Sequence, residues 1–155
     1  MEEKAADAAR LPSATSQARA FERVRAARQT ETAEDYVELI ADLIAAQGEA
    51  RLVDLAKRLG VSHPTASKVV ERLQREDLVV SRPYRSIFLT EQGEQLARRC
   101  KARHQIVTEF LRSLGISHGV AEIDAEGVEH HVSEETIIAF RRFLVNRGIE
   151  VPELD

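Results

Sequence analysis

Residues 52–89 read LVDLAKRLGVSHPTASKVVERLQREDLVVSRPYRSIFL, and this stretch decides the fold. Leu52, Leu55, Ala56 and Leu59 recur at the three- and four-residue steps of one helix face. Gly60 stops that helix. Ser62 then offers a side-chain oxygen to cap the next one, and Pro64 falls in its first turn, where a missing N–H costs little. Ala66, Val69, Val70 and Leu73 form the buried stripe of this second helix. Two short runs, Leu78–Ser81 and Ser86–Leu89, flank Arg82-Pro83-Tyr84-Arg85 and predict a β-hairpin.

Upstream, Val37, Ile40, Leu43 and Ile44 predict a helix over Asp35–Ala46, closed by Gly48. Three helices followed by a hairpin is the order of a winged helix-turn-helix. Residues 1–33 hold ten alanines and few large apolar residues. They are expected to be a mobile N-terminal extension with a short helical stretch near Phe21–Arg28. Downstream, Thr90 caps a long helix whose apolar stripe is Leu96, Cys100, Val107, Phe110, Leu111 and Leu114. A further helix covers roughly 118–131, and Ser133 starts another that turns Ile137, Phe140 and Leu144 inward before Gly148. The expected fold class is therefore mainly α. A winged helix-turn-helix spans 34–90, an all-helical domain spans 91–148, and 149–155 form a C-terminal tail.

The net charge is −4, which at first argues against a nucleic-acid partner. The average hides an asymmetry. Residues 34–50 carry −5, residues 51–90 carry +4, and residues 91–155 carry −4. Phosphates favour the basic island and cations the acidic flanks. No apolar run is long enough to span a membrane, and the N-terminus lacks the apolar core of a secretory signal. One cysteine, Cys100, allows no intrachain disulfide. These features place the expected site of action in the cytoplasm.

On the second helix of the quoted stretch, Thr65, Ser67, Lys68, Arg72 and Arg75 lie opposite the buried stripe, with the capping Ser62 and the first-turn Pro64 beside them; Pro64 and Thr65 could pack on thymine methyl groups. Hydroxyls and long cations are the groups that reach base edges and phosphates in a major groove. Arg82 and Arg85 in the hairpin turn are placed to meet a flanking phosphate or the minor groove. Arg19, Arg23, Arg25 and Arg28 of the extension are further candidates for DNA contact. A basic, solvated three-helix unit without DNA is the competing reading.

The densest chemistry lies in Asp124-Ala125-Glu126-Gly127-Val128-Glu129-His130-His131. Glu126, Glu129 and His130 are i, i+3 and i+4, so one helix face carries two carboxylates and an imidazole, a divalent-cation pattern. His131 points about 100° away from that face. Asp35 and Glu38 pair at i and i+3 on the first helix, and Asp42 extends their stripe. Both carboxylates would also serve the positive end of that helix. His104 sits on the flank of the long helix's apolar stripe.

Four segments in order resemble the diphtheria toxin repressor family, and within it the manganese transport regulator branch. They are Glu34-Asp35-Tyr36-Val37-Glu38, the Val61-Ser62-His63-Pro64-Thr65 turn, Arg103-His104, and the run Asp124–His131. The resemblance covers about residues 34–147. It implies a winged helix-turn-helix followed by a helical metal-binding and dimerisation domain, and a homodimer that binds double-stranded operator DNA when metal is bound. It implies the ligands Asp35, Glu38, His104, Glu126, Glu129 and His130. Iron-responsive relatives carry Met and Cys where this chain has Asp35 and Glu126, so the resemblance implies Mn²⁺, with Fe²⁺, Co²⁺ or Zn²⁺ as possible substitutes. It also implies repression of manganese-uptake genes, and a chain without the additional C-terminal domain of the iron type. The expected dimer seam is the Leu96–Leu114 stripe, and Cys100 is expected in the core or at that seam. A metal-independent winged-helix regulator remains the alternative. An enzyme is not expected, because the sequence offers no nucleophile elbow, phosphate loop or separate general base, and no small-molecule substrate is expected.

Overall fold

A computed structural model describes residues 11–82 and 84–154. Among these described residues six helices and one hairpin follow in order: α1 (Ala14–Gln47), α2 (Leu52–Leu59), α3 (His63–Arg75), β1 (Val79–Val80), β2 (Phe88–Leu89), α4 (Glu91–Ser113), α5 (His118–His131) and α6 (Glu134–Val145). The two strands pair antiparallel, Val79 with Leu89 and Val80 with Phe88. Ile87 donates its N–H to the Ala50 carbonyl at 2.7 Å, which ties the hairpin to the segment entering α2.

The first helix differs from its expected extent. It starts at Ala14 rather than near Asp35, so residues 14–33 are helical and continuous with the winged domain. The Ser13 hydroxyl caps it by accepting from the Ser16 N–H at 3.2 Å. An alanine-rich stretch has nothing to bury, yet alanine is the best helix former, and the packed half downstream supplies the nucleus that an isolated helix lacks. Residues 1–10, also assigned to the extension, lie outside the described residues.

Two apolar cores result. The first gathers Val37 and Ile40 of α1, Leu55 of α2, Leu73 of α3, and Ile87 of the hairpin. The second gathers Ile106 and Val107 of α4, Ala125 of α5, and Ile137 and Leu144 of α6. Phe110 stacks on Phe140 with ring centroids 3.8 Å apart. Burying each large aliphatic side chain contributes about 1.5–3 kcal/mol. The tail belongs to this core, since Ile149, Val151 and Leu154 pack against it. Arg141 Nε donates to the Pro152 carbonyl at 2.9 Å.

α4 runs through both cores, with Ala97 in the first and Ile106 in the second. Its start is pinned to the hairpin: the Thr90 N–H donates to the Leu78 carbonyl (3.1 Å) and the Thr90 hydroxyl to the Asp77 carbonyl (2.6 Å). A Cβ at Gly93 would stand 2.0 Å from the Leu78 carbonyl oxygen, so only glycine permits this approach. Much of the apolar stripe of α4 packs inside the chain, with Leu96 partly buried against the first core and Phe110 and Leu111 against the second. Cys100 and Val107 are buried by the chain's own helices, while Leu114 at the far end is 59% exposed.

Candidate metal centre and nucleic-acid interface

Of the carboxylates and imidazoles singled out in the sequence, His104, Glu126, Glu129, His130 and Asp35 come together where α1, α4 and α5 meet, whereas Asp42 pairs with Lys101. His104 on α4 directs Nδ1 at Glu126 Oε1 (3.6 Å) and Glu129 Oε2 (3.4 Å), both on α5. His130 on α5 directs Nε2 at Asp35 Oδ1 of α1 (3.2 Å) and at Glu129 Oε1 (3.3 Å). Ligand atoms of His104, Glu126 and Glu129 lie within 4.8 Å of one another. Glu38 lines one surface cleft together with Asp35, Asp42, Arg58 and Glu126, which gives an aqueous approach to the junction.

The electrostatics are those of crowded anions. Burial, and then the Glu129 and Glu126 carboxylates, push Glu38 up to about 7. Burial also raises Glu129. The Glu129 carboxylate holds His104 up to about 9 against the opposing effect of burial. Burial alone would lower His130, but Asp35 and Glu34 overcome it and raise the ring to about 10. Both carboxylate oxygens of Glu129, His104 Nδ1 and His130 Nε2 are buried and have no hydrogen-bond partner among the described residues. Buried polar atoms are otherwise almost always paired. Four such donors facing one junction fit a cation bound by oxygen and imidazole nitrogen. Cys100 lies nearby, but burial and then the Glu34, Glu38 and Glu129 charges push its thiol up strongly, so it offers no thiolate.

Two carboxylates escaped the sequence reading. Glu34 of α1 is buried, with 6% of its surface exposed, and stands 2.5 Å from His130 Nδ1. Its other oxygen is 3.7 Å from Arg103, which also donates to the Glu129 backbone carbonyl. Glu122 of α5 stands 3.1 Å from His104 Nε2. Glu122 sits one turn before Glu126 on α5, a spacing that could have flagged it; Glu34 carried no signal beyond adjacency to Asp35. His131 is turned away from the junction and pairs with Glu31 at 3.1 Å, as its angular offset implied.

The second expected interface is α3 with the hairpin. Ser62 has its oxygen committed to capping α3, accepting from the Thr65 N–H at 3.2 Å and meeting Thr65 Oγ1 at 2.8 Å. Pro64, Thr65 and Lys68 are exposed, and Ser67 is half-buried and donates to Glu71 at 3.4 Å. Arg72 does not point freely outward. Its Nη2 donates to the Gln29 carbonyl of α1 at 3.3 Å, and its Nε faces Glu76 at 3.6 Å. Arg75, Arg82 and Arg85 are exposed. Pro83 lies outside the described residues. A groove between α3 and the hairpin is lined by Ser67, Gln74, Arg82 and Arg85. Gln74 Nε2 holds the hairpin by donating to the Ser81 carbonyl at 2.7 Å.

Comparison with known proteins agrees with this division. Residues 29–87 match the family described as iron dependent repressor, N-terminal DNA binding domain, and residues 90–147 match its metal binding and dimerisation domain. The chain is 54% identical over 128 residues to the transcriptional regulator MntR of Escherichia coli O6:H1, covering 83% of each. It is 38% identical over 108 residues to the HTH-type transcriptional regulator MntR of Lysinibacillus sphaericus, covering 70% of this chain and 78% of that one. Among solved structures it resembles a manganese-dependent transcriptional repressor in complex with manganese, with a TM-score of 0.68 and 27% identity over 78% of this chain. It spans 62% of the length of that solved chain. Motifs, fold and relatives converge, and the chain belongs to the iron-dependent repressor family of metal-binding transcriptional regulators.

Proposed function

We propose that the chain is a manganese-responsive transcriptional repressor that binds operator DNA as a homodimer and silences manganese-uptake genes. The observation that carries this is the set of four buried, unpaired donor atoms on Glu129, His104 and His130, facing one junction of three helices. Asp35, Glu38, His104, Glu126, Glu129 and His130 would hold the ion. The ion supplies the positive charge that four crowded carboxylates lack. Asp35 and Glu38 belong to the helix that also builds the DNA-binding core, while the other four belong to α4 and α5. Drawing these groups together favours one orientation of the DNA-binding domain over others. Oxygen-rich donors without a thiolate favour Mn²⁺, and Fe²⁺, Co²⁺ or Zn²⁺ can substitute. The similar solved repressor, which is in complex with manganese, agrees with that choice.

On the DNA side, Pro64, Thr65, Ser67 and Lys68 would enter the major groove, with Arg82 and Arg85 on the flanking backbone. Ser62 and Arg72 would act by fixing α3 in place rather than as free contacts. Arg19, Arg23, Arg25 and Arg28 on the exposed half of α1 would add backbone contacts. The test is fluorescence anisotropy of an uptake-gene promoter duplex at fixed salt, with EDTA and then with Mn²⁺. Tight binding only with Mn²⁺, and its loss in Glu126→Ala and His130→Ala, is the expected result. Affinity indifferent to EDTA would overturn the metal gate and leave a winged-helix regulator answering to another signal.

A further inference from the structure

The two ligand histidines present opposite ring nitrogens to the junction. His130 turns Nε2 inward and His104 turns Nδ1 inward, and both atoms are buried without a hydrogen-bond partner. In each ring the other nitrogen meets a carboxylate outside the proposed ligand set. Glu34 Oε2 stands 2.5 Å from His130 Nδ1, and Glu122 Oε2 stands 3.1 Å from His104 Nε2. We infer that Glu34 and Glu122 are positioning residues, each holding the outer nitrogen of one ligand histidine so that His130 binds the ion through Nε2 and His104 through Nδ1. This rests on the metal-gated reading above.

The chemistry requires such a pairing. A neutral imidazole carries one N–H, and the nitrogen that bears it cannot ligate; a carboxylate accepting that N–H fixes which nitrogen is left with its lone pair. It also fixes the ring plane and makes the ligating nitrogen more basic. Glu34 is well suited to this. It is buried, its remaining oxygen faces Arg103 at 3.7 Å, and Arg103 also grips the Glu129 backbone one residue before His130. Glu34 and Arg103 thus tie α1 and α4 to the His130 segment of α5 through side chains that do not themselves touch the ion. Glu122 is half-exposed and pairs more loosely, so its effect is the smaller of the two.

The test uses ¹⁵N-labelled full-length protein and the histidine side-chain nitrogen shifts, with Zn²⁺ as the diamagnetic probe and Mn²⁺ affinity measured in parallel. In the wild type, His130 should show a metal-bound Nε2 and a protonated Nδ1, and His104 the reverse. Glu34→Ala should free the His130 Nδ1 proton to exchange rapidly and weaken Mn²⁺ by about 10–100-fold. Glu34→Gln, whose amide oxygen still accepts that N–H, should recover the protected proton and most of the affinity. Glu122→Ala should alter the His104 ring alone. The inference is overturned if His130 is bound through Nδ1, or if Glu34→Ala leaves both the protected proton and the affinity within about twofold of wild type. A wild type that takes up metal but binds DNA equally without it would sink the repressor reading and leave this inference standing. A wild type that takes up no metal would overturn this inference together with the metal-gated reading.

Discussion

At the scale of single residues, the junction is a set of groups whose charges do not match their surroundings. Glu38, His104 and His130 all hold protons more tightly in the folded chain than they would when unfolded. The sign of the consequence is the same for all three. A group that binds more protons folded than unfolded loses its stabilising contribution as pH rises. For Glu38 that loss runs from its ordinary 4.5 to about 7. For the histidines it runs from 6.5 to about 9 at His104 and about 10 at His130. The metal-free protein should therefore show a thermal midpoint that falls between pH 6 and pH 8. Ligation needs the same groups deprotonated, so Mn²⁺ affinity should rise over that interval, with proton release detectable by calorimetry in two buffers of different ionisation enthalpy. A metal affinity flat from pH 6 to pH 8 would mean that these groups are not the ligands. The clusters Asp35/Glu38 and Glu126/Glu129/His130 stood out in the sequence because i, i+3 and i+4 spacing on a helix is local, whereas His104 joined the proposed ligands only through the family resemblance. The roles of Glu34 and Glu122 were not legible, since each depends on a ring nitrogen delivered by another helix.

At the scale of elements, α1 and α4 are the long members, and each serves both halves of the chain. The helix-turn-helix, its caps and the hairpin were legible because Gly60, Ser62 and Pro64 punctuate the chain locally. The start of α1 was not, because absence of a core was taken to mean absence of order, whereas propensity and a capping Ser13 suffice once the downstream half is packed. Arg72 was read as a free cation on α3; only the fold shows α1 close enough to accept its hydrogen bond. Gly93 offers a sharp test of the joint between hairpin and α4. Gly93→Ala should cost about 1–3 kcal/mol by overpacking, read as a fall in the thermal midpoint of roughly 3–10 °C. A Cβ at Gly119, near the start of α5, meets nothing within 4 Å. Gly119→Ala should therefore raise stability by about 0.4–1 kcal/mol, and the two substitutions together separate steric cost from backbone entropy. Equal effects of the two would show that the hairpin does not press on α4.

At the scale of the whole molecule, the family description places dimerisation within residues 90–147, and the fold narrows where that surface can be. The stripe of α4 was the expected seam, since its apolar count exceeds what one short domain needs. Folding α5, α6 and the tail back onto it consumes most of that surface, something no one-dimensional pattern displays. Leu114 after α4, and Val120 and Ile123 on α5, remain exposed and apolar. Ile123 lies on the side of α5 opposite to the buried Ala121 and Ala125. A symmetric interface needs one such patch per copy, because a two-fold axis makes it self-complementary. Ile123→Asp should therefore give a monomer in sedimentation at micromolar concentration. Because Ile123 stands three residues before Glu126 on α5, Mn²⁺ affinity of the monomer should be read in parallel, with Ile123→Ser as the uncharged comparison. Binding to a two-half-site operator should fall steeply, while binding to a single half-site should stay near its already weak value. A dimer that survives Ile123→Asp would move the interface off this face of α5.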